Sequence, residues 1–130
     1  MFDSGVFNYV DVLSKAADAA WQRNEIIANN MSNVNTPGYK RKDIDFESRL
    51  RQALGNSRYE AVDTKVARVA AGDLKGKVYT DSANFSYRLD GNNVDIDTEG
   101  VELASNQIKY NGLYDSINQE FANLNLVMRS

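Results

Sequence analysis

The sequence predicts a mainly α fold: two long terminal helices form an antiparallel coiled-coil hairpin, with a small irregular or β-containing segment between them. Three observations carry this prediction. Apolar or small residues recur in alternating steps of three and four across residues 1–34. The same pattern returns across residues 97–130. Between them, residues 35–96 break into turns, short alternations and scattered glycines.

The first helix is expected from about Asp3, with Asp3 or Ser4 able to cap it. Its seam runs Val6, Val10, Leu13, Ala17, Ala20, Ile27, Met31 and Val34, and Asn24 takes the remaining slot. At 1.5 Å per residue such a helix is roughly 48 Å long. Ala17 and Ala20 let a partner helix approach closely. Asn24 either sets register or is simply exposed, and the sequence leaves both open. Trp21 lies beside the seam and is expected to contact a neighbouring side chain rather than a base or sugar.

The stretch ANNMSNVNTPGYK, Ala28 to Lys40, must end that helix and launch extended chain. Asn29, Asn30, Asn33 and Asn35 suit helix ends better than interiors. Thr36 precedes proline and is pushed away from helical backbone. Pro37 and Gly38 fit the central positions of a type II turn, and Tyr39 leaves it. In YKRKDIDFE, Ile44 and Phe46 alternate with Asp43, Asp45 and Glu47, which predicts extended chain with one buried edge. The basic run Lys40, Arg41 and Lys42 either contacts an acidic neighbour or is solvated surface, and so short a run favours the second. Phe46, Leu50 and Leu54 then predict a short helix over Asp45 to Leu54.

Gly55 to Ser82 reads as loop, or as strands that need neighbours, because Val66 and Val69 alone establish no period. Val78 and Tyr79, then Phe85, Tyr87 and Leu89, read as strand. Asp90-Gly91-Asn92-Asn93 reads as a turn. Asp97 or Thr98 is the expected N-cap of the second helix, with Glu99 and Glu102 in the first turn facing its positive end. The second seam is Leu103, Tyr110, Tyr114, Ile117, Phe121, Leu124 and Met128, with Gln107 in the empty slot and Arg129 near the end. Val101, Ala104 and Ile108 make a further apolar stripe. One hairpin partner leaves part of that surface uncovered, so the lone chain is expected to be poorly ordered until its helices pack among copies or partners.

Composition narrows the function. The chain has 130 residues, a net charge of −3, and neither cysteine nor histidine. That removes disulfides, thiol nucleophiles, the commonest general base and the commonest metal ligand. The acidic balance gives no general attraction to nucleic acid or anionic lipid. Asp90, Asn92, Asp95, Asp97 and Glu99 invite comparison with a calcium loop. The pattern fails, since Val94, Asp95 and Val101 occupy positions that need a ligand, a glycine and a glutamate. No stretch approaches the ~18 apolar residues of a membrane span, and the N-terminus does not read as a cleaved secretory signal. No catalytic, cofactor-binding or metal-ligating residue is expected.

ANNMSNVNTPGYK, following a heptad helix, resembles the signature of the bacterial flagellar axial proteins of rod and hook. KRKDIDFE and LDGNNVDIDTEGVELASNQIKYNGLYDSINQEF are similar to a proximal-rod branch of that family. The resemblance implies a structural subunit of the basal body rod, exported unfolded without a cleaved signal and assembled in the periplasm into a tubular shaft that carries torque. Its implied partners are copies of itself in a ring, FlgC-like and distal rod subunits, the FliE adaptor, and the MS ring and export gate below. It implies no cofactor, no nucleic acid and no direct membrane span. Two other readings stand beside it: a soluble helical-hairpin adaptor or export chaperone, and a carboxylate-dependent enzyme or calcium protein using Asp90, Asp95 and Asp97.

Overall fold

The computed structural model describes the backbone of residues 2–55, 59–81 and 89–129, with side chains from residue 5 onward. The order is α1 (Phe2–Ser32), β1 (Lys42–Asp45), α2 (Glu47–Leu54), α3 (Val62–Ala71), β2 (Lys77–Thr80) and α4 (Ile96–Arg129). The two terminal helices, 31 and 34 residues long, dominate the molecule. They run antiparallel: Ala20 meets Asn106, Trp21 meets Tyr110, and Asn30 meets Glu99. The expected α hairpin with a small β-containing middle is therefore the fold.

The middle segment lies against one side of the hairpin. β1 and β2 form a two-stranded antiparallel sheet in which Lys42 pairs Thr80 and Ile44 pairs Val78. Ile44 and Phe46 are buried, and Asp45 and Asp43 alternate with them along the chain. The Asp45 carboxylate accepts the Ser48 N–H at 3.3 Å and the Ser48 hydroxyl at 2.6 Å, which helps to fix the start of α2.

The region 55–82 departs from the expected loop or strand, because it contains the ten-residue helix α3. Val62 supplies the missing period: Val62, Val66 and Val69 stand at steps of four and three, and the last two are buried. α3 packs on α1, whose Lys15 ammonium donates to the carbonyls of Val69, Ala70 and Gly72 at 3.3, 3.1 and 2.9 Å. A cation there satisfies the open carbonyls and the negative end of the helix. Tyr9 on α1 donates to Asp63 at the other end of α3. The expected capping by Asp3 or Ser4 and the expected strand through Phe85 and Tyr87 lie outside the described residues. Leu89 is fully exposed in the turn that follows.

At the chain reversal, Gly38 has φ +73° and the Tyr39 N–H bonds the Thr36 carbonyl at 3.2 Å. Positive φ at the third position is what a type II turn requires. A Cβ at Gly38 would meet nothing within 4 Å, so any substitution there is felt through the backbone alone. Gly38→Val is expected to destabilise the chain by about 1–3 kcal/mol, read as a lowered urea midpoint. An unchanged midpoint would mean that the turn tolerates another geometry.

A polar clasp as candidate functional site

The end of α1 and the start of α4 are joined by buried polar groups. Asn30, Asp43, Asn92, Glu99 and Asn106 are all buried, and the apolar Ile27 is as fully enclosed as Asn30. Each polar group is there because an element delivers its partner.

Glu99 is 1% exposed, on the α4 face turned toward α1. Its carboxylate accepts the Arg41 Nε at 2.5 Å and the Asn30 Nδ2 at 3.2 Å. Arg41, just before β1, extends its other nitrogens to Asp81 at 2.9 Å and Asp43 at 3.3 Å. Arg23 on α1 donates to Asp43 at 2.9 Å and to Glu102 at 2.7 Å. Two guanidiniums thus hold four carboxylates from β1, the end of β2 and α4. The basic run 40–42 is therefore not merely solvated surface. Its middle member is the centre of this network, while Lys40 donates to the Gly91 carbonyl.

Asn30 acts as a strand partner. Its amide donates to the Lys42 carbonyl at 2.8 Å, and its oxygen accepts the Lys42 N–H at 2.9 Å and the Tyr39 hydroxyl at 3.0 Å. One helical side chain satisfies the edge of β1 and the Glu99 carboxylate together. Asn92 does the same for the chain reversal. It donates to the carbonyls of Asn33, Val34 and Thr36 at 2.8, 3.1 and 2.8 Å, just past the end of α1, where no basic residue stands. Its oxygen accepts the Val94 N–H at 2.7 Å. Gly91, with φ +78°, lies against Gly38, and the Gly38 N–H donates to Asp90 at 2.7 Å. The turns at 36–39 and 90–93 are back to back, so the two stretches most distinctive in the sequence hold each other.

Electrostatics follow from this geometry. Burial pushes the Asp43 carboxyl up, but the Arg23 hydrogen bond, the Ile44 N–H and the charges of Arg23 and Arg41 outweigh it and hold it below the ordinary carboxylate range. Burial likewise opposes the charge on Arg23 and Arg41, and their carboxylate partners raise both above their ordinary value. Removing one partner of such a buried pair typically costs about 3–5 kcal/mol.

Along the hairpin, Asn106 donates to the Ala20 carbonyl and to the Asn24 side chain, each at 2.7 Å, and Asn24 donates to Gln107 at 3.1 Å. Asn24 is thus a bonded residue of the helix contact. The buried polar slot of α4 is Asn106, and Gln107 is exposed. Of the expected interface residues, Ala20 and Ile27 are buried, and Val6, Val10, Leu13, Ala17, Met31, Leu103, Tyr110, Ile117 and Leu124 are half-buried. Tyr114, Phe121 and Met128 are exposed, Met128 at 72%. Trp21, Tyr110 and Tyr114 form an aromatic row, with ring centres 5.8 and 6.5 Å apart.

The capping of α4 differs from expectation. Asp95 caps it, accepting the N–H of Asp97 and Thr98 and the Thr98 hydroxyl at 3.1, 3.4 and 3.1 Å. Asp97, Thr98 and Glu99 lie inside the first turn, and Glu99 is drawn into the clasp instead. The signal for Asp95 was present as Asp-x-x-Thr ahead of an apolar run. Among the described residues no group of three or more acidic side chains is arranged to hold a metal ion, and no helix is long and apolar enough to cross a membrane.

A family model described as flagella basal body rod protein matches residues 11–40, the second part of α1 and the turn. The chain is 36% identical over 129 residues to the flagellar basal body rod protein FlgB of Bacillus subtilis, covering 98% of this chain and 95% of that protein. It is 35% identical over 96 residues to FlgB of Salmonella typhimurium, covering 68% and 70%. It is 29% identical over 116 residues to FlgB of Escherichia coli, covering 84% of each.

A carboxyl with a depressed pKa contributes stability above its unfolded value and loses it as pH falls through its folded value. The Asp43 part of the clasp is therefore present above about pH 4 and is lost below it. Acidification from about pH 5 to 2 should separate Trp21 from Tyr110, read as a change in tryptophan fluorescence. Asp43→Asn should flatten that transition, and an identical acid transition in the variant would remove Asp43 from the account.

Proposed function

The chain belongs to the FlgB family of flagellar basal body rod proteins, and on that premise we propose how this structural rod subunit assembles. α4 turns one face to α1 and leaves another unpartnered within the chain. Val101 and Ile108 lie on the stripe turned away from α1, and Tyr114, Phe121 and Met128 flank the α1 contact, each of the five at least 45% exposed. This outward apolar surface is the observation that carries the proposal. It forms the contact with neighbouring subunits in a tubular wall, where the hairpin axis bears torque. The clasp keeps the two helices in one register while the outer face is covered.

Copies of the chain in a ring, FlgC-like and distal rod subunits above, and the FliE adaptor, MS ring and export gate below are the partners this reading assigns. It also assigns a periplasmic position in the rod, reached without a cleaved signal, and no enzymatic activity. The division into terminal core helices and an outlying middle segment follows the same logic. Only the helices have the length to run along a wall, and the sheet and α3 cover one side of them. The adaptor or chaperone reading is less favoured, because a free-standing hairpin would gain nothing from so much uncovered apolar surface.

Phe121→Asp tests the proposal. Phe121 is half-exposed, so the folded chain tolerates a charge there, whereas burial at a subunit contact does not. The variant should keep the wild-type circular dichroism and still be exported from the cytoplasm, yet fail to enter basal bodies, and motility should be lost. Normal basal bodies carrying the variant would exclude this face as a contact.

A further inference from the structure

We infer that Arg41 is a latch that makes docking of α4 on α1 conditional on completion of the middle segment. Glu99 stands on the inner face of α4 at 1% exposure, where α1 offers its carboxylate the Asn30 amide, and among the described residues its ion pair is with Arg41. The cation comes from Arg41, which belongs to neither helix. Arg41 is itself held by Asp81 at 2.9 Å, and its backbone is placed from both sides. Its N–H donates to Asn93 Oδ1 at 2.7 Å, and its carbonyl accepts the Asp81 N–H at 2.8 Å. Asn93 in turn donates to the Asp81 carbonyl at 2.8 Å. The guanidinium is therefore in position only when the residues after β2 and the 90–93 turn are folded beside β1. Until then Glu99 opposes closure of the hairpin, and afterwards it favours closure. The switch connects residues 41, 81, 93 and 99, so it cannot set before the chain is present through α4. It holds whether or not the hairpin enters a rod.

The chain has no cysteine, which allows a clean test in the full-length protein. Asn24 and Gln107 touch across the two helices at 3.1 Å. With Asn24→Cys and Gln107→Cys, intramolecular disulfide formation in dilute solution reports closure. Adding Arg41→Met should slow that reaction at least about tenfold, by leaving Glu99 charged and unpaired. Adding Glu99→Leu to Arg41→Met should restore most of the rate of the cysteine pair alone, since the carboxylate between the helices is gone while Asp43 keeps Arg23. Equal rates with and without Arg41→Met would overturn the latch. So would a slowed rate that Glu99→Leu does not rescue, because Arg41 would then act by supporting the middle segment and not through Glu99. Failure of the cysteine pair itself to close would overturn it as well.

Discussion

The structure depends on one enclosed carboxylate. A charge taken out of water must be neutralised and hydrogen-bonded, or it disfavours the fold that encloses it. Glu99 receives Arg41 and Asn30, and each of these brings a second element with it. Arg41 brings β1, the end of β2 and the 90–93 turn. Asn30 brings the end of α1 and the edge of β1. Five parts of the chain converge because one side chain would otherwise be left unsatisfied. No buried side-chain polar atom lacks a partner among the described residues.

The apolar core is too small to take this role. Eight apolar residues are buried among the described ones, two of them alanines, while fifteen large apolar or aromatic residues are exposed. Alanine at 19 and 20 brings α1 and α4 close but removes little apolar surface from water. The hairpin thus lacks the broad hydrophobic seam that usually decides register. Buried asparagines do so instead. Asn106 reaches a backbone carbonyl and Asn24 at 2.7 Å, and a slip of one turn would leave those groups unpaired. Directional bonds penalise wrong alignments in a way that alanine contacts do not.

This division explains what the sequence disclosed and what it withheld. The two helices were legible because spacing in threes and fours survives whatever covers it. The reversal at Pro37-Gly38 was legible because proline and glycine restrict the backbone locally. The pairing of Glu99 with Arg41 was not, since a glutamate in a first helical turn already has a local explanation in the helix dipole. Arg41 was hidden in the same way inside a run of three cations that reads as surface. Asn106 was missed because the apolar heptad points to Gln107, one position on. The true inner stripe of Glu99, Asn106 and Tyr110 is partly polar, so hydropathy cannot locate it. α3 was missed for a weaker reason: its period rests on three valines among charges, one of them at the very start of the helix.

The usual order of a soluble hairpin is therefore partly inverted. Its inner contact carries directional polar groups, and its exposed α4 surface carries large apolar side chains among polar ones. Each arrangement suits one task. Polar contacts have narrow geometric tolerance and can specify a single internal alignment in a chain with few core residues. Apolar contacts have broad tolerance and gain by area, so neighbouring subunits can adjust to one another without breaking a hydrogen bond. A subunit in a rotating shaft needs both properties on different faces: a rigid inner register so that strain is not absorbed within the hairpin, and an outer surface that bonds many neighbours without demanding one exact angle. The placement of Glu99 inward and of Ile108 outward on the same helix meets both needs in a chain of 130 residues.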